Sequence, residues 1–345
     1  MDDMTFTCQH DDTVDADPTR HRHTKSLDGI GDVPSVIIAL SNHRCEMIPL
    51  AVQEMRRCEI VVLEEPPDDN FFRMLHGKVS IQEYVSGADT EYPEFGLRMA
   101  QALGGLNREG KRIVQIEPYL ENLIEIHNRL IDGATPSELE TDDALGPVYD
   151  MERRATRALI DFYEASSQND FDTMVKTTKA FAKIDARRFA VRDRLRARSI
   201  AGIVAHGRRV YVEAGQMHVG LARALRRHLP ERQPVVARYL APERIVRQSA
   251  RASRLGPGDV LTLVYIFNPD FDSSITDVWA ARALVQNKII LKHDITTKIA
   301  ANPVDHPRIV IGPTFLEERH FREFLFGVCH DNFRRWIVLL QEVGH

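Results

Sequence analysis

The chain has 345 residues, 28% of them charged and 43% apolar, and a net charge of −5. That balance belongs to a globular protein with a sizeable core, and its acidic sign argues against general nucleic-acid binding. Four cysteines (Cys8, Cys45, Cys58 and Cys329) form no CxxC pair and have no regular spacing, which sets aside a zinc ribbon or a disulfide framework and points to a reducing cytoplasm.

Residues 1–32 are rich in Asp, His and Thr with scattered apolar positions, the composition of a disordered leader. It is acidic, unlike a secretory signal. No apolar run approaches the ~18–20 residues of a membrane span, so no membrane partner is expected. Order is predicted from residue 33. A buried strand over 36–40 runs into Ser41-Asn42-His43 and a helix over 44–57. A second strand over 59–63 ends in Glu64-Glu65-Pro66-Pro67, where the prolines stop it and Asp68 can cap a helix carrying Phe71 and Phe72. Helical patterns fill 80–106. A third strand over 112–116 ends in Glu117-Pro118, and a helix over 119–131 follows.

Residues 136–205 read as two or three helices broken near 166–170. The last part, 183–199, carries Arg187, Arg188, Arg192, Arg194, Arg196 and Arg198. Ile184, Val191 and Leu195 share a helical face, with Arg188 and Arg192 on or beside it, while Arg187, Arg194 and Arg198 point elsewhere. Arg188 or Arg192 is therefore placed to need a carboxylate. Next come a strand over 210–213, a turn at Ala214-Gly215 and a helix over 217–228, with His218 in its first turn. Further expectations are a strand over 234–240, a helix over 242–251, a strand over 260–267, a helix over 277–287, a strand over 288–292 and an amphipathic helix over 315–343.

The strand-helix alternation predicts a three-layer α/β/α domain over 33–240. Its sheet is mostly parallel, with a helical insertion at 136–205 and an α/β extension over 241–345 packed on the same domain. In such sheets ligands collect at the carboxyl ends of the strands. The polar residues at those ends are His43, Glu64, Glu65, Glu117, Glu213 and His218. The two histidines follow their strands alike, four residues after an alanine (Ala39 and Ala214). Histidine and carboxylate together can bind a divalent metal that activates water, or act without metal as a general base and its orienter. The arginine can hold an acidic substrate group or neutralise a site glutamate.

The order of these motifs resembles the superfamily that contains the TraB/GumN proteins, the Tiki metalloproteases, erythromycin esterase and the ChaN-like proteins. The resemblance spans roughly residues 34–228. It rests on Gly215-Gln216-Met217-His218 after a strand, on Arg192-Asp193 in the preceding helix, and on Glu64 or Glu65 with Arg73 following. The early histidine motif keeps His43 but has Leu40 where the family has glycine. The resemblance implies hydrolysis of an ester or peptide bond, with His43, Glu64, Glu65, Arg192 and His218 catalytic. It further implies Gly215 and Arg73 lining the ligand site, where Glu117 is expected too as the residue that ends the third strand, and His43, Glu65 and His218 as ligands of a divalent metal. Non-catalytic binding of haem or a small acidic molecule, or a regulatory role, are the alternatives on the same fold.

Overall fold

The first strand, β1 (Val36–Ser41), is buried at every position, as a continuous apolar run must be when both faces of a sheet are covered. The computed structural model describes residues 36–43, 45–87, 93–167, 170–204, 208–231, 233–240, 255–291 and 310–311. After β1 come α1 (Ile48–Arg56), β2 (Ile60–Leu63), α2 (Asp69–Leu75), α3 (Ile81–Gly87), α4 (Pro93–Arg108), β3 (Arg112–Gln115) and α5 (Pro118–Ile131). The insertion is α6 (Pro136–Thr141), α7 (Gly146–Ser167) and α8 (Phe171–Val204). Then follow β4 (Val210–Gly215), α9 (Leu221–Arg226), β5 (Val235–Tyr239), α10 (Pro257–Phe267) and α11 (Ser274–Ile289).

The main sheet has five strands in the order β3-β2-β4-β1-β5. All four pairings are parallel, so the expected mostly parallel sheet is wholly so. Because side chains alternate along a strand, the two faces carry separate cores. Val36, Ile38, Leu40, Ile60, Val62, Val210, Val212 and Ala214 pack under α8 and α9. Ile37, Ala39, Val61, Leu63, Ile113 and Tyr211 pack under α1, α2 and α4. This is the three-layer α/β/α arrangement.

Local signals explain the boundaries. The Asp68 side chain accepts from Asn70 N at 2.8 Å and starts α2. Pro118 opens α5, and Thr135 with Glu138 forms a reciprocal cap on α6.

Three expectations are corrected. Residues 260–267 are helical rather than a strand. Pro257 and Asp259, which accepts from Gly256 N at 3.1 Å, start α10, and its apolar residues pack with α8 and α11. A short apolar run is compatible with either state until its partner is known. Residues 217–220 are a turn, so His218 precedes α9 rather than lying in its first turn. The strand expected over 288–292 shrinks to Ile290–Leu291, paired antiparallel with Val310–Ile311, because α11 continues to Ile289. The leader 1–32 and the helices expected over 242–251 and 315–343 lie outside the described residues. Among the described residues Cys45 and Cys58 form no disulfide, and no helix is long and apolar enough to cross a membrane.

Candidate functional site

The carboxyl ends of β1, β2 and β4 bring the candidates together. The decisive spot is Gly215, the last residue of β4. A Cβ built there would lie 3.6 Å from His218 Cδ2, 3.7 Å from Glu64 Oε2 and 3.8 Å from His43 Cε1. The two histidines, from strands far apart in sequence but paired in the sheet, thus converge on one backbone position. Gly215 N donates to Glu64 Oε2 at 2.5 Å, which ties the end of β4 to the end of β2.

Glu64 and Glu65 leave β2 in different directions. Glu64 turns toward α8. Its Oε1 lies 2.7 Å from His218 Nε2 and 3.3 Å from Arg192 Nη2, and its Oε2 is 3.5 Å from Arg196 Nη1. Burial alone would raise its pKa, but His218 and the two arginines outweigh that and hold the carboxyl well below the usual carboxylate range. Glu65 turns toward β3, where Oε2 accepts from Gln115 Nε2 at 2.8 Å. It is exposed, yet protein surrounds its carboxyl. That surrounding, and then the charge of Glu213, push its pKa up against the opposing pull of Gln115 and His43. Glu213 is buried and accepts from Glu64 N at 3.3 Å.

The α8 contribution is Phe189, Arg192, Asp193 and Arg196, whose spacing of three, four and seven residues places them on one helical face. Arg192 faces Glu64 and Glu117, the latter at 3.5 Å, so the expected contact between Arg192 and a strand-end glutamate is present. Burial disfavours its charge, but Glu117 and Glu64 more than compensate and its pKa rises. Arg196 is a site residue that the arginine run of the sequence does not single out. It is fully buried and donates through Nε to Ile116 O (2.9 Å) and through Nη2 to Glu213 O (2.7 Å), joining the ends of β3 and β4. Its position four residues after Arg192 was the available signal. Asp193 lies 2.6 Å from His218 Nδ1; it too is absent from the strand-end candidates, although the Arg192-Asp193 pair marks its place in the sequence.

His43 is half-buried, with its ring 5.5 Å from that of Phe95. Arg73 stays apart: it is exposed on α2 and donates to Asn70 of its own helix at 3.0 Å.

As arranged, His43, Glu65 and His218 do not fit a metal ion. A ligating imidazole needs one ring nitrogen with a free lone pair, and both nitrogens of His218 face carboxylates. Among the described residues no group of three or more His, Cys, Asp or Glu is placed to hold one.

The charge on His218 has a measurable consequence. Burial lowers its pKa, but Glu64 and then Asp193 raise it to about 9, against an ordinary 6.5. A group with a raised folded pKa stabilises fully below its unfolded value and loses that contribution as pH rises through the folded one. The melting temperature is therefore expected to fall between pH 7 and 10 in the wild type, more steeply than in His218→Gln. Thermal melts across that range check it, and parallel slopes would count against a charged His218.

Comparison with known proteins adds one relative. The chain is 26% identical over 258 residues to an uncharacterized protein of Archaeoglobus fulgidus, covering 75% of this chain and 84% of that protein. No family model matches the chain. No solved structure matches it either.

Proposed function

We propose that the chain is a hydrolase of ester or amide bonds in which His43 is the general base. The observation that carries this is the difference between two histidines at one glycine. His218 is buried with both ring nitrogens on carboxylates, whereas His43 is half-buried at the same spot. In this reading a neutral His43 takes a proton from water, whose oxygen attacks the substrate carbonyl carbon. The His43 imidazolium then returns that proton to the departing alcohol or amine as the carbon–oxygen or carbon–nitrogen bond breaks. Glu65, near enough for His43 to favour its charged form, would stabilise the imidazolium.

Recognition of an acidic ligand by Arg192, the other role open to it, has less support because its guanidinium faces Glu64 and Glu117. The test uses p-nitrophenyl esters of short acids. Wild type is expected to turn over, and His43→Asn to lose about 10²–10⁴-fold in rate with an unchanged melting point. Equal rates for the two proteins would exclude His43 as the base. Activity lost to a chelator and restored by zinc would replace this reading with a metal-assisted one.

A further inference from the structure

His218 is held from both sides. Nδ1 lies 2.6 Å from Asp193 Oδ1 and Nε2 lies 2.7 Å from Glu64 Oε1. Ionised carboxylates only accept hydrogen bonds, so each ring nitrogen carries a proton. Phe189 closes a third direction, edge-to-face with the imidazole at 5.2 Å between ring centres. The ring has one orientation.

Asp193 itself is seated. It is buried at 3% exposure, and its second oxygen packs against Gly220. A Cβ added to Gly220 would fall 2.7 Å from Asp193 Oδ2. The backbone of Gly220 is ordinary (φ −76°), a conformation any residue can adopt. Glycine is required there for room, and the room is taken by the Asp193 carboxylate.

We infer that Asp193 is a positioning residue of this site: seated against Gly220, it fixes the His218 ring with Nε2 on Glu64, whose other oxygen then holds the Gly215 N–H beside His43. The contacts run without a gap from α8 through the turn after β4 to the ends of β2 and β4. Asp193 never touches the reacting atoms. It acts by making His218 a fixed cation, and that cation sets the carboxylate that anchors the β4 end. The catalytic consequence rests on the hydrolase reading above; the contact chain does not.

The full chain, labelled with ¹⁵N at histidine, gives a test that needs no substrate. At pH 7.5 the wild-type His218 ring is expected to show two exchange-protected N–H groups. Asp193→Asn keeps size and shape, so a packing role would leave His218 unchanged. A positioning role predicts loss of the second proton at a pH about one unit or more lower, because an opposite charge in contact has been removed. Gly220→Ala, which pushes Asp193 away without altering it, is expected to give the same signature. Gly202→Ala, on α8 with nothing within 4 Å of the added atom, is expected to leave it alone. A single ring proton in the wild type, or unaltered signals in both Asp193→Asn and Gly220→Ala, would overturn the inference. Should Asp193→Asn fail to fold, the wild-type and Gly220→Ala spectra decide. With p-nitrophenyl acetate as probe, Asp193→Asn is expected to lower kcat about tenfold or more with little change in KM. A wild type that does not hydrolyse the ester but shows the NMR pattern would refute the hydrolase reading and leave the positioning intact.

Discussion

Arg196→Ala is expected to leave a chain that no longer folds stably. The guanidinium is wholly buried, bonds two backbone carbonyls and lies 3.5 Å from both Glu64 and Glu117. Its removal takes one cation from each of two buried carboxylates and leaves two interior carbonyls without this donor. Breaking one side of a buried ion pair costs about 3–5 kcal/mol, a large part of the roughly 5–15 kcal/mol that holds a domain together. Arg198, two residues on, is exposed, and its replacement by alanine should change stability by less than about 0.5 kcal/mol. Arg192→Ala should fall between, since its side chain retains 18% exposure. Urea melts of the three variants rank them. Equal midpoints for Arg196→Ala and Arg198→Ala would refute the assignment.

Two neighbouring acids should give opposite phenotypes. Glu64→Gln removes the charge that faces His218, Arg192 and Arg196 together, in a side chain only 8% exposed. The cations left behind should destabilise the fold by on the order of 3 kcal/mol. Glu65→Gln removes a carboxyl whose charged form its protein surroundings, and then Glu213, already disfavour, on a residue that is exposed as a whole. Its stability should stay within about 0.5 kcal/mol of wild type, while ester hydrolysis drops with the loss of the charge near His43. Melts and rates measured side by side check both halves. A stable Glu64→Gln, or an unstable Glu65→Gln, would reverse the roles given to the pair.

What the sequence disclosed follows from what each signal measures. Buried parallel strands are apolar throughout, so β1, β2 and β4 stand out, and the polar residue that ends each one is a visible punctuation. His43, Glu64, Gly215 and His218 were legible for that reason and do converge. The sides taken by Glu64 and Glu65 were not legible, because that depends on α8 covering one face of the sheet and β3 lying beside Glu65. Arg196 was hidden inside a run of arginines, and only the depth of the α8 face separates it from Arg194 and Arg198. The residues 260–267 misled because a helix packed among other helices is as uniformly apolar as a central strand.

The strand order also constrains how the chain is made. The neighbour shared by β1 and β2 is β4, and Gly215 follows Glu64 by 151 residues. A nascent chain emerging from the ribosome therefore presents β1 and β2 with unpaired edges throughout synthesis of the α5–α8 region, and the sheet can close only after residues 210–215 are translated. Long-range pairing of this kind is slow and leaves strand edges open to wrong partners. The helical insertion can assemble by local contacts in the meantime, since α7 and α8 are adjacent in sequence. When β4 docks, His218 meets the Asp193 and Glu64 carboxylates and Arg196 meets the Glu213 carbonyl in the same event. Maturation of the candidate site and closure of the sheet are one step.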